Sequence, residues 1–245
     1  MKYINVLWLD IKNLFTNIAW LFYGIVFPLL LIIILGYLTH NDYGNSIRSY
    51  DYYGVTLIIF SILNTGTIAA NSFMEDKMKM GNMRIVFSPI HLSWIYISKI
   101  IASAFFNLIC HCFVVIILLI GFQLNLGLHI GTLFILMMIG ECFGATLGVC
   151  ICCVLKSESL CNQILSLVIQ LAAALGGVFF SLDRFGNIFT KLSYISPIKW
   201  MIQACFMYIY DGQSGPLYLC MGVLIIGILI CLWVCQKTWH GEDCL

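Results

Sequence analysis

The 245-residue chain is 62% hydrophobic and only 9% charged, with a mean hydropathy of +1.00, whereas ordinary soluble domains carry about 25% charged residues. That balance excludes a soluble globular domain and predicts an integral membrane protein. A net charge of +1 spread thinly along the chain gives no basis for a nucleic-acid partner.

The first element is amphipathic. Ile4, Leu7, Trp8, Ile11, Leu14 and Phe15 recur at helical spacing, with Lys2, Asn5, Lys12, Asn13 and Thr16 on the other side, which predicts a helix over 2–17 lying in the membrane interface. The apolar run that follows continues past any signal-peptide length, so the first span is retained. A bilayer needs about 20 apolar helical residues. Six stretches supply them, at about 18–38, 53–73, 100–124, 128–155, 160–180 and 216–235. The sequence therefore predicts an all-α polytopic membrane protein of six spans in one domain over 1–245, with no soluble domain expected after Lys237.

Two connections stand out. Between the second and third spans, 74–90 concentrates charge (Glu75, Asp76, Lys77, Lys79, Arg84) and ends in Ser88-Pro89, so it reads as a short structured element at the membrane surface. Its apolar face is Met83, Val86, Phe87 and Ile90, which fits either a partner protein or lipid headgroups. Between the fifth and sixth spans, 181–215 contains an apolar piece, Pro197 to Tyr210, that is too short to cross and carries Lys199 and Gln203. It is expected to be interfacial or re-entrant, started by Ser196 as a cap and Pro197 at the first helical position.

Lys and Arg set orientation. With the N-terminus inside, Lys2, Lys12, Lys77, Lys79, Arg84, Lys99, Lys156 and Lys237 are cytoplasmic and Arg48, Arg184, Lys191 and Lys199 are outside. Eight against four favours both termini in the cytoplasm.

Most of the 12 cysteines fall inside apolar spans, where they act as small hydrophobes, and Cys150-x-Cys152-Cys153 lacks zinc-site spacing. No metal site is expected. The chain has no GxxxxGK[ST], HExxH or GxSxG motif, so no enzymatic activity is expected and energy for any transport must come from a gradient or another polypeptide. Glu141 lies deep in the fourth span and His111 in the third. Each is read either as a cavity or proton-coupling group or as a polar tie between spans. Gly140, Gly144 and Gly148 form a smooth ridge for close helix approach, within the subunit or between subunits. Asn64, Thr65, Thr67 and Asn71 in the second span, and Asn162, Gln163 and Gln170 in the fifth, are too polar for lipid and either bond neighbouring spans or line a substrate route.

Gly81 to Pro89 followed by Lys99, and Gly176-Gly177-Val178-Phe179-Phe180 followed by Ile195-Ser196-Pro197-Ile198-Lys199-Trp200, resemble the permease subunits of ABC-2 type transporters. Asn82 stands where that family usually has Thr. The resemblance implies a plasma-membrane exporter subunit, pairing with a second permease of the same or a sister chain and with a separate ABC ATPase that binds ATP and Mg2+. This chain itself would bind no cofactor. It also implies that 74–90 is the coupling helix, placing Asn82, Met83, Arg84, Val86, Phe87, Ser88 and Pro89 against the ATPase. Two other readings of the composition are a proton-coupled secondary transporter using Glu141 and His111, and a non-transporting membrane scaffold or immunity component. The substrate is not legible.

Overall fold

The computed structural model describes residues 2–41, 43, 47–74, 91, 93–127, 130–179 and 186–239. Among them all regular structure is helical: α1 (Lys2–Thr16), α2 (Ile18–Leu21), a π-helical turn (Phe22–Val26), α3 (Phe27–Leu38), α4 (Ser49–Met74), α5 (Ser93–Phe122), α6 (Ile130–Leu155), α7 (Glu158–Gly176), α8 (Asn187–Ser193), α9 (Pro197–Asp211) and α10 (Gly215–Thr238). Six stretches are long and apolar enough to cross a bilayer: Ile18–Leu38 and the helices α4, α5, α6, α7 and α10. The chain is a multi-pass membrane protein.

The first span is interrupted. Pro28 has no N–H, and its ring presses on the carbonyl four residues back, at Gly24. The backbone absorbs this in the π turn, where the Phe27 N–H reaches Phe22 O instead of the α-helical acceptor. Gly24 faces α5 there, and a Cβ on it would stand 3.1 Å from Cys110.

α4 is the axis of the bundle. It touches α3, α5, α6, α7 and α9, and 89% of its apolar stretch is buried, against 17–50% in the other five spans. Its mean hydropathy is only 1.5, a value it shares with α7. Both α4 and α5 begin before their apolar runs, since the charges near their starts are paired. Asp51 takes two bonds from Arg48, and Lys99 is buried against Asp10.

α4 and α6 approach to backbone contact. A Cβ on Gly144 would lie 2.6 Å from Ile62 O, one on Gly66 2.8 Å from Gly144 O, and one on Gly148 would fall inside van der Waals contact of the Gly66 backbone. The glycine ridge is thus occupied within this chain, by α4.

α9 is held in the bundle without crossing it. Ser196 Oγ accepts from Ile198 N at 3.2 Å and donates to Ala172 O of α7 at 2.6 Å, so the cap also anchors the helix. Met201 reaches Gly140 and Ile62 at mid-span, and Ile209 ends beside Gly127 in the α5–α6 connection. Its buried face is Ile198, Met201, Ile202, Ala204 and Cys205, and it packs against α4, α7 and α10. α1 lies against α5, burying Leu14 beside Phe106 and Ala102, while Ile4 and Trp8 are exposed. Its apolar arc is thus partly buried against protein and partly exposed.

Candidate functional site

The buried surface of α4 leaves one strip open. Asn64, Thr67 and Asn71 are partly exposed while Thr65, Gly66, Ile68, Ala69 and Ala70 between them are buried. Their spacing of three and four places them on one face. α7 has a matching strip: Ser159, Gln163, Ser166 and Gln170 are exposed at spacings of four, three and four. Asn71 Nδ2 donates to Asn162 Oδ1 at 3.1 Å and Asn162 Nδ2 returns the bond to Asn71 Oδ1 at 2.9 Å, joining the two helices. Two other amides and a hydroxyl bond locally. Asn64 Nδ2 donates to Phe60 O, Gln163 Nε2 to Ser159 Oγ, and Ser166 Oγ to Gln163 O. Such bonds hold polar side chains on a helix without using the face they present outward. Polar groups turned toward hydrocarbon are costly, so this face of α4 and α7 is suited to water, a polar solute or another protein.

Where α7 ends, beyond the polar strip, lies a cavity of about 250 Å³ lined by Tyr52, Gly176, Gly177, Tyr194, Lys199, Ile202, Gln203 and Phe206. Gly177 caps α7 at φ +77°, a conformation that glycine adopts without Cβ strain. Its carbonyl accepts from Tyr52 OH at 2.6 Å. Tyr53 OH donates to Phe179 O at 3.0 Å. Two tyrosines of α4 thereby fix the end of α7, and Tyr52 stacks on Phe206 of α9 with ring centroids 5.6 Å apart. Lys199 and Gln203 put a cation and an amide at this wall.

Glu141 and His111 lie elsewhere, in the packed seam between α4, α5 and α6. Glu141 is 0% exposed and His111 1%. Thr65 Oγ1 donates to Glu141 Oε2 at 2.5 Å, and His111 Nδ1 meets Glu141 Oε1. Both carboxyl oxygens are therefore engaged, and one side chain ties three spans. Sequence alone left Thr65 among the polar residues of the second span. The structure turns it away from Asn64, Thr67 and Asn71 and into this seam.

At the end of the bundle nearest α1, Asp10 and Lys99 form an ion pair, 3% and 2% exposed. Among the described residues Asp10 Oδ2 has no hydrogen-bond partner. This pair was missed in the sequence, although a signal existed: Asp10 stands at helical spacing between Leu7 and Leu14, on the apolar face, where a carboxylate demands a buried cation. Trp94 Nε1 adds a bond to Tyr3 O at 3.2 Å, so α1 is pinned to the start of α5 at two points. The coupling residues Asn82, Met83, Arg84, Val86, Phe87, Ser88 and Pro89 lie outside the described residues. Among the described residues no cluster of three or more His, Cys, Asp or Glu is arranged to hold a metal ion.

A family model described as ABC-2 type transporter matches residues 3–210. No curated protein matches the chain.

Proposed function

The chain belongs to the ABC-2 type transporter family, and on that premise we propose that it is the permease of an ATP-driven exporter, working beside a second permease and a separate ABC ATPase that holds ATP and Mg2+. The observation that carries this reading is the polar face of α4 and α7 joined at Asn71 and Asn162, with the cavity beside Lys199 and Gln203 beyond it. One copy leaves that face open. A second permease facing it would enclose a polar route through the membrane, with Asn64, Thr67, Asn71, Gln163 and Gln170 on its wall.

The excess of Lys and Arg at the α1 end supports termini in the cytoplasm. In that orientation 74–90 faces the ATPase, with Met83 and Phe87 as apolar contacts. α4 and α5 flank this segment in the sequence, and α1 is joined to α5 by Asp10–Lys99. Closure of the ATPases on the segment would then be transmitted to α5 and α1 together. For this to do work, the push must favour one of two packings of the spans.

The experiment is purification in mild detergent of the chain co-expressed with its neighbouring genes, wild type and with Met83→Asp and Phe87→Asp. A P-loop ATPase that accompanies the wild type and is lost from the double variant is the expected result. A chain that purifies alone and transports under a proton gradient overturns the reading and moves the chemistry to Glu141 and His111.

A further inference from the structure

α4 has a second working face, opposite the polar one. At about 100° per residue, Gly54, Val55, Ile58 and Ile62 point roughly 180° away from Asn64, Thr67 and Asn71. They form the floor of an apolar groove of about 260 Å³. Its walls are Val115, Ile116 and Leu119 of α5 and Leu133, Phe134 and Met137 of α6, with Met201 and Ile209 of α9 closing one side. α5 and α6 are drawn together at His111–Glu141 and leave this space between them beyond it. The groove exceeds an apolar cavity of about 150 Å³ that takes benzene.

Both ends of the groove are polar. The inner end is Thr65 with Glu141 and His111. At the other end Asp51, one turn before Gly54 and Val55, accepts from Arg48 and from Asn125 N, and Asn125 adjoins the lining residue Leu126. From Asp51 to Thr65 is fourteen residues of helix, about 21 Å, comparable to the roughly 15 Å depth of hydrocarbon in one leaflet. The side open to the surroundings is apolar: Ile116, Ile130 and Phe134 are 51%, 48% and 43% exposed.

We infer that this groove is a binding site for one acyl chain of a membrane phospholipid in the leaflet remote from α1, with the phosphate held beside Arg48. An acyl chain suits a slot whose walls are almost wholly carbon. The head group suits the far end, where the Arg48 side chain is 49% exposed. A second permease on the polar face leaves this groove facing lipid, because the two faces lie on opposite sides of α4. The inference requires only that the chain spans the membrane, and stands independently of the transport reading.

The test uses the purified chain in phosphatidylcholine vesicles containing a phosphatidylcholine with a diazirine in its acyl chain. After photolysis, adducts are mapped by mass spectrometry. Peptides holding Val115–Leu119 and Leu133–Met137 are expected to carry several-fold more label than Ile226 and Leu229 of α10, although those two are more exposed, at 58% and 61%. Leu133→Trp, or Val115→Phe should the first fail to fold, fills the groove and brings label down to the α10 level. A diazirine diacylglycerol, lacking phosphate, labels less than the phospholipid. Groove label no greater than at α10, or label unchanged by filling, overturns the site. So does a groove shielded from lipid by crosslinks to a second copy. Equal labelling by the diacylglycerol overturns the assignment of the phosphate to Arg48.

Discussion

Asn71 and Asn162 exchange two amide hydrogen bonds, at 3.1 and 2.9 Å, and so clamp α4 to α7 at one end of the polar face. Replacing either with Leu removes both bonds, and without Asn162 the Asn71 amide keeps only its bond to Thr67 O, at 2.8 Å. Interhelical bonds in membranes average about 0.6 kcal/mol and reach about 1.7, so a double-mutant cycle of Asn71→Leu and Asn162→Leu is expected to give a coupling energy in that range. Unfolding in detergent measures it. Additive single effects would show that the pair contributes nothing beyond its separate residues.

The six spans were legible because a membrane-length apolar run has few alternative readings. The Ser196-Pro197 start of α9 was legible for a local reason, since cap and proline specify a helix N-terminus without tertiary help. What the sequence withheld is which face of α4 meets what. Asn64, Thr65 and Thr67 look alike in a one-dimensional pattern, yet Thr65 is buried against Glu141 and the other two stay on the open strip. The apolar groove was illegible for the same reason, because Ile58 or Leu133 reads equally as core, lipid face or cavity wall. The π turn required knowing that the widening before Pro28 also brings Gly24 against Cys110.

Gly148 is the tightest point of the α4–α6 contact. The neighbours a new Cβ meets are backbone atoms of Gly66, which cannot rotate away as a side chain would. Gly148→Ala is therefore expected to exceed the usual overpacking cost of about 1–3 kcal/mol, or to prevent stable insertion. Gly222→Ala in α10 is the control, as a Cβ there meets nothing within 4 Å. The check is the monodisperse yield of each variant in detergent and its Tm. Equal Tm values would show that the helices separate easily.

Glu141 separates a tie from a proton carrier. Glu141→Gln keeps an oxygen to accept from Thr65 and an amide for His111, so the three spans stay joined and transport is expected to persist at near wild-type Tm. Glu141→Leu leaves the Thr65 hydroxyl and His111 ring without their partner, at about 1–3 kcal/mol for each buried group. Its Tm should fall clearly below that of the Gln variant. Reconstituted vesicles read transport, and a Glu141→Gln protein that is fully stable but inactive would assign the carboxyl to proton coupling.

Asp10 and Lys99 offer the sharpest test of whether α1 and α5 move as one body. Removing one partner strands a charge in a site with almost no solvent access, and breaking a buried pair costs about 3–5 kcal/mol. Lys99→Met is therefore expected to lower Tm strongly, and more so because Asp10 Oδ2 already lacks a partner among the described residues. Asp10→Leu combined with Lys99→Met removes both charges and should recover most of that loss, since apolar replacement of a buried pair is often neutral or better. The two variants then split stability from coupling. If the pair only stabilises the fold, the double variant exports at the wild-type rate for each ATP hydrolysed. If the ionic lock transmits the ATPase stroke from α5 to α1, the double variant keeps its Tm while ATP consumption per transported molecule rises. The reversed pair, Asp10→Lys with Lys99→Asp, restores the lock and is expected to restore that ratio.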